Sequence, residues 1–145
     1  MRILIERARR LTGWARVELL GMLTRKEILA LLEKANIGLV LYQPAPNHDE
    51  AGPHKFFEYM AAGIPFVASD FPLWRGIVER GGCGLVANPQ DTATIANAIE
   101  YLLKHLVEAT CMGMNSRRAF EQRYNWEAEE PTLLNLYETI LTNTN

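Results

Sequence analysis

Residues 50–69 read EAGPHKFFEYMAAGIPFVAS, and this stretch decides the predicted fold. Pro53 suits the first position of a helix, where its missing N–H is not needed, and Gly63 suits the stop after the last turn. Residues 65–68 are apolar and predict a strand whose proline stands at the tolerated first position. A helix that leads directly into an apolar strand is a unit typical of α/β folds.

The same alternation of helix and strand extends to both sides. The run IGLVLY at residues 37–42 has no polar alternation, which is typical of a strand buried on both faces of a parallel sheet. Thr24 and Glu27 have the spacing of a capping box that begins a helix running to about Lys34. Further apolar runs lie at 17–20 and 84–87, and further helices are predicted at 2–12, 71–79, after Asp91 or Thr92, at 107–122 and at 127–142. The predicted class is α/β with a mostly parallel sheet, built as a single domain over residues 1–145.

Composition and charge exclude several functions. The 145 residues are 48% hydrophobic and 22% charged with a formal net charge of −2, which argues against nucleic acid as the main partner. The first helix carries an excess of arginine, which we interpret as a solvated face; contact with an anionic membrane or a transit receptor is the less favoured alternative. No apolar run approaches the roughly 18 residues that a membrane-spanning helix needs.

The cysteines and histidines predict neither a metal site nor a disulfide. Cys83 and Cys111 have no metal-ligand or CxxC spacing, and the three histidines are scattered along the chain. We therefore expect no metal and no cofactor. A reducing compartment, the cytoplasm, is the expected location.

A ligand is expected at the carboxyl ends of the strands, where open parallel sheets bind their ligands. The loop 43–52 leaves the end of the most apolar strand and leads to the helix at Pro53. A helix N-terminus favours phosphate, and Lys55 in the first turn adds a positive charge. Glu58 lies one turn further along among apolar residues, a setting in which a carboxylate needs a partner. Two carboxylates near a phosphate site, Glu50 and Glu58, indicate a sugar between them.

The pair Glu50-x7-Glu58 and the string FEYMAAGIP at residues 57–65 closely resemble the donor-site signature of the group 1 glycosyltransferases, family 4, with the GT-B fold. The similarity extends over nearly the whole chain and matches the C-terminal, donor-binding domain of such enzymes. It implies a Rossmann-like three-layer sandwich with about four remaining strands. A sugar-nucleotide epimerase with the same architecture is a more remote alternative.

The resemblance implies roles for matching residues. Glu58 would hold the ribose hydroxyls of a UDP- or GDP-sugar. Glu50 would face the donor sugar as the catalytic residue and stabilise charge at the anomeric centre. Such enzymes usually transfer the sugar with retention of configuration and without a metal.

Other donor contacts are implied by position. Ala51 and Gly52 would offer backbone N–H groups to the sugar and phosphate, whereas Pro53 has no N–H to offer, so one usual contact is missing. Leu23 falls where the family packs the nucleobase. Lys55 is a further candidate for the phosphates.

The resemblance also implies that parts of the family's machinery are absent. The acceptor domain, the first two strands and the Arg–Lys pair that clamps the diphosphate would all be missing. We expect either that the strands at 17–20 and 37–42 pair directly or that the exposed edge associates with another chain. The possible partners are a nucleotide sugar, a separate acceptor domain and a second copy bound through the strand edge or the last helix. The predicted function is donor binding without turnover by this chain alone; the alternative is a non-catalytic remnant or nucleotide-binding module.

Overall fold

The computed structural model describes residues 2–46 and 52–142. Contacts between residues divide the chain into two units, Met1–Ala30 and Leu31–Asn145. The prediction of a single domain over residues 1–145 stays a prediction. No helix in the described ranges combines the length and apolar character needed to cross a membrane.

The first unit contains helix α1 (Arg2–Ala8) and a 3-10 helix (Thr12–Arg16), and α2 (Arg25–Leu32) begins in it. The capping box is confirmed: the Glu27 carboxylate accepts hydrogen bonds from the backbone N–H and the hydroxyl of Thr24, at 2.7 and 2.6 Å. These hydrogen bonds lower the pKa of Glu27. A local pattern of two residues is therefore enough to define where this helix begins.

The predicted strand at residues 17–20 is wrong. These residues form no regular secondary structure, and Val17, Leu19 and Leu20 are exposed. A strand is defined by a hydrogen-bonded neighbour, and residues 17–20 have none in the described chain. The alternative in which this segment pairs with residues 37–42 is wrong for the same reason, whereas association of the exposed strand edge with another chain stays a prediction.

The second unit is built on a parallel sheet in the order β1-β2-β3, with α3–α6 packed around it and α7 packed on α6. The α/β class and the parallel sheet are confirmed, although the described sheet has three strands instead of about four. Its elements, in chain order, are β1 (Gly38–Val40), α3 (His54–Ala62), β2 (Phe66–Ser69), α4 (Pro72–Gly81), β3 (Gly84–Ala87), α5 (Thr92–Lys104), α6 (Leu106–Arg123) and α7 (Trp126–Thr142).

Helices cover both faces of the sheet. Phe66 and Ala68 of β2 point to one face, where they join a core built with α3, α4 and the C-terminal half of α6. Val67 points to the other face, where Leu102 of α5 and Ala109 of α6 pack. Because successive residues of a strand alternate between faces, the fully buried β2 supplies both cores.

Helix α6 passes from one face to the other across the amino edge of the sheet. The Ser116 hydroxyl donates to the Cys83 carbonyl at 3.1 Å, just before β3 begins. Gly113 lies against the Gly63 carbonyl and the Pro65 ring, just before β2, where any Cβ would overlap the carbonyl oxygen. The amino edge is therefore covered by α6.

Two surfaces bear on the predicted partners. In the described residues β1 has one hydrogen-bonded neighbour, β2. Helix α7 has no buried residue and exposes Leu134, Tyr137 and Leu141. Association of a second copy through either surface stays a prediction, which a sedimentation measurement of the chain's mass in solution tests.

Candidate functional site

The loop after β1 is held to the carboxyl end of β2 by one buried hydroxyl. The Ser69 Oγ accepts a hydrogen bond from the Tyr42 N–H at 2.8 Å and donates one to the Tyr42 carbonyl at 2.9 Å. Ser69 is fully buried, so both hydrogen bonds are shielded from water. They hold the Tyr42 backbone at the carboxyl end of β2.

A second contact joins this loop to the end of β3. The Gln43 Nε2 donates to the Pro89 carbonyl at 2.8 Å. Beside it, the Asp70 N–H donates to the Ala87 carbonyl at 2.9 Å, and the Asp70 carboxylate is engaged by Arg75. Because Arg75 already holds that carboxylate, Asp70 is a structural residue of the carboxyl edge.

Among the described residues, no side chain caps the N-terminus of α3. Pro53, predicted as the first helical residue, is instead the N-cap in an extended conformation, so the helix begins one residue later, at His54. The first turn contains no acidic residue, and Lys55 within it is exposed. Free N–H groups at a helix N-terminus carry a partial positive charge, so this end of α3 suits an anion.

Glu58 lies on the outside of α3. Phe56 and Met60 are fully buried, whereas Glu58 is exposed and its carboxylate makes no hydrogen bond or ion pair within residues 2–46 and 52–142. The expectation that Glu58 needs a partner inside an apolar helix is therefore wrong, because the buried side chains of α3, Phe56 and Met60, lie on the opposite side. The carboxylate is free to accept hydrogen bonds from a ligand's hydroxyl groups.

The remaining predicted residues have different positions. Glu50 and Ala51 lie outside the described residues. Gly52 is exposed, and among the described residues Phe57 makes the nearest approach to a Cβ built there, at 3.5 Å. Leu23 is half-buried and belongs to the first unit. Gly52 and Lys55 therefore lie at the start of α3, and Glu58 lies one turn further along it.

A large hollow of the second unit lies elsewhere. Its volume is about 810 Å³, and it borders the residues that precede β1 and β2 together with α5 and α6. Ligands of open parallel sheets bind at the carboxyl edge, and this hollow is at the amino edge. We therefore assign the candidate site to α3. In the described ranges no three His, Cys, Asp or Glu side chains gather as metal ligands do.

A parallel sheet between two helical layers, with an open helix N-terminus at its carboxyl edge, defines the Rossmann-like class of α/β domains. Comparison with known proteins gives the family. The model of the family "Glycosyl transferases group 1" matches residues 3–119. This chain therefore belongs to the group 1 glycosyl transferases.

Individual relatives agree with this assignment. The chain is 33% identical over 88 residues to the phosphatidyl-myo-inositol mannosyltransferase of Mycobacterium leprae (strain TN), covering 59% of this chain and 22% of that protein. It is 26% identical over 134 residues to the glycogen synthase of Mycobacterium tuberculosis (strain CDC 1551 / Oshkosh), covering 92% of this chain and 31% of the relative.

A solved structure shares the fold. The sucrose-phosphate synthase of Thermosynechococcus elongatus superposes with a TM-score of 0.83 at 25% identity, over 98% of this chain and 34% of that one. The chain thus spans between about a fifth and a third of the length of these relatives.

Proposed function

We propose that this chain is the donor-binding part of a glycosyltransferase and binds a nucleotide sugar at the N-terminus of α3. The observation that carries the proposal is the first turn of α3, which no described side chain caps and which contains exposed Lys55, with exposed Glu58 one turn further, whose carboxylate has no partner within residues 2–46 and 52–142. The first turn would bind the diphosphate, and Glu58 would accept hydrogen bonds from the ribose hydroxyls.

The spacing along α3 supports one ligand for both groups. Lys55 and Glu58 are three residues apart, which is a rise of about 4.5 Å along a helix. One end of this short span attracts negative charge and the other accepts hydrogen bonds from hydroxyl groups. A nucleoside diphosphate has both kinds of group on neighbouring parts of one molecule.

The remaining roles follow from the family. Glu50 would face the donor sugar as the catalytic residue, Ala51 and Gly52 would contact sugar and phosphate through their backbone, and Leu23 would pack the nucleobase. We propose UDP- or GDP-sugars as donors, transfer with retention of configuration, and no metal. A pathway of polysaccharide or glycoconjugate biosynthesis is supported by the relatives named as a mannosyltransferase and a glycogen synthase.

We further propose that this chain alone binds the donor without turnover and needs an acceptor domain as partner. The relatives are about three to five times as long as the matched region, which leaves room in them for a second domain. The cytoplasm is the proposed location, supported by the free thiols of Cys83 and Cys111.

Calorimetric titration with UDP-glucose and with GDP-mannose tests donor binding. We expect one of them to bind the parent chain and Glu58→Gln to weaken that binding about tenfold, the loss of a charge-assisted hydrogen bond. Glu130→Gln is the matched control, because Glu130 is an exposed carboxylate on α7. Absence of heat with both sugars at millimolar concentration would refute donor binding and favour the non-catalytic module.

Turnover is tested separately. If the parent chain binds the donor, the release of UDP or GDP from the nucleotide sugar is followed over hours, in the absence and in the presence of sugar acceptors. Release above the rate without protein would contradict the proposal that the chain is inactive alone.

A further inference from the structure

A second hollow of the Leu31–Asn145 unit, of about 440 Å³, is lined by three arginines. It lies between the C-terminal ends of α4 and α6, next to Gly81 and Gly82, which lead into β3. Arg80, Arg118 and Arg123 line it, and Glu79 is the one carboxylate among its lining residues. We call this hollow the arginine hollow.

The distribution of ion pairs singles out these three arginines. The sequence from residue 31 onward contains five arginines. Arg75 pairs with Asp70, and Arg117 pairs with Glu121 at 2.7 Å. The other three make no ion pair within the described residues, and all three line the arginine hollow. With three arginines and a single carboxylate among its lining residues, the hollow carries an excess of positive charge, which attracts an anion.

Helix ends account for part of this arrangement only. Arg80 and Arg123 lie in the last turns of α4 and α6, where cations are favoured by the helix dipole. Arg118 lies inside α6, more than one turn from its end, so the dipole does not explain it. Asn115 also lines the arginine hollow and adds a neutral hydrogen-bond donor. Its side-chain amide donates one hydrogen to the Gly82 carbonyl at 3.2 Å and has a second hydrogen to donate.

We propose that the arginine hollow binds a phosphate-bearing anion. Guanidinium groups bind phosphate oxygens in pairs of parallel hydrogen bonds, and the amide of Asn115 supplies a further donor at the floor. The site is distinct from the proposed donor site, because it lies beside the amino end of β3, whereas α3 begins at the carboxyl edge. The phosphate belongs to a soluble phosphate compound or to a lipid headgroup.

The test uses inorganic pyrophosphate as the probe and ¹⁵N NMR of the whole chain as the readout. We expect pyrophosphate to shift the side-chain amide signals of Asn115 and the backbone amide of Gly82. Arg118→Gln should weaken the binding of pyrophosphate about tenfold. Arg10→Gln is the control, because Arg10 is exposed just after the end of α1, and it should leave the binding unchanged. Unshifted signals of Asn115 and Gly82, or equal affinities of parent and Arg118→Gln, would overturn the proposal.

Lys55→Gln separates this site from the donor site. We expect it to leave the shifts at Asn115 and Gly82 unchanged, and their loss in this variant would place the pyrophosphate at α3 and overturn the proposal. Donor titration of Arg118→Gln should match the parent, so the two proposals fail independently.

Vesicles distinguish the two sources of phosphate. We test whether the parent chain co-sediments with phosphatidylcholine vesicles that contain phosphatidic acid. Co-sedimentation that is lost in Arg118→Gln, and also lost when excess pyrophosphate is added to the parent, would assign the site to a lipid headgroup. Binding of pyrophosphate without co-sedimentation would assign it to a soluble phosphate compound. Failure of both probes to bind at the hollow would refute the site.

Discussion

Replacing Ser69 by alanine tests the hydroxyl that holds the loop after β1. The Ser69→Ala change removes two hydrogen bonds at once, one accepted from the Tyr42 N–H and one donated to the Tyr42 carbonyl. Because Ser69 is fully buried, water does not replace the lost hydroxyl group in the folded state. The methylene and backbone of the residue remain, so packing changes little.

The expected cost follows from those two bonds. Each intramolecular hydrogen bond contributes about 1 kcal/mol net, so Ser69→Ala should lower the free energy of unfolding by about 2 kcal/mol. For a chain of this size that corresponds to a decrease of about 7 °C in Tm. The Tyr42 amide should also exchange its hydrogen faster, because its bond to Ser69 Oγ is gone.

Urea denaturation and hydrogen exchange measure the two effects. Thr110→Ala is the control, because Thr110 also donates its hydroxyl hydrogen to a carbonyl, that of Leu106 at 2.8 Å, but is exposed on α6. The control should change stability by less than about 0.5 kcal/mol. A loss in Ser69→Ala no larger than that of the control, with unchanged protection of the Tyr42 amide, would refute the role assigned to Ser69.

Two further changes test the amino edge of the sheet. Gly113→Ala should lower the free energy of unfolding by about 1–3 kcal/mol, because its Cβ would overlap the Gly63 carbonyl. Gly13→Ala is the control, because a Cβ at Gly13 would have no atom within 4 Å. Equal stabilities of the two variants in urea would contradict the close approach at Gly113. Burial raises the pKa of the Cys83 thiol to about 11, so stability should fall as the pH rises above the thiol's unfolded value near 9. Unfolding in urea at pH 8 and pH 10 measures this loss of stability, which should be smaller in Cys83→Ala. In the folded chain, iodoacetamide should label Cys111 and spare Cys83. Equal labelling of the two thiols would show that Cys83 is accessible.

Local chemistry allowed several helix boundaries to be predicted from the sequence, although the helix predicted over residues 2–12 ends at Ala8. Gly63 ends α3 with a φ of 69°, a conformation that glycine adopts without strain, and Asp91 caps α5 by accepting from the Ala93 N–H at 2.9 Å. The capping box at Thr24 is a third example. In each case one or two neighbouring residues determine the geometry, so no knowledge of distant contacts is needed.

Strand lengths depended on distant contacts and were predicted less well. The apolar run at 37–42 yields a strand of three residues, Gly38–Val40. Past this strand the Tyr42 backbone is hydrogen-bonded to the side chain of Ser69, 27 residues away, instead of continuing the ladder. The run at 17–20 has the composition of a strand but no partner strand in the described residues, and composition alone does not reveal that.

The candidate site was predicted in part. The position of α3 and its open N-terminus followed from the sequence. The exposure of Glu58 could have been found from helical spacing, since Phe56 and Met60 are four residues apart and Glu58 lies between them on the opposite side. The arginine hollow had no sequence signal, because Arg80 is 38 residues from Arg118 along the chain and only the packing of α4 near α6 brings them to one hollow.

The path of α6 has a consequence for how the second unit unfolds. The same helix supplies Ala109 to the core on one face and packs Ala119 and Phe120 against the core on the other. Detaching it would expose both faces of the sheet together, so neither layer has a stable state in which the other is lost. Melting of the two layers should therefore be a single cooperative transition, with α6 as the element that couples them.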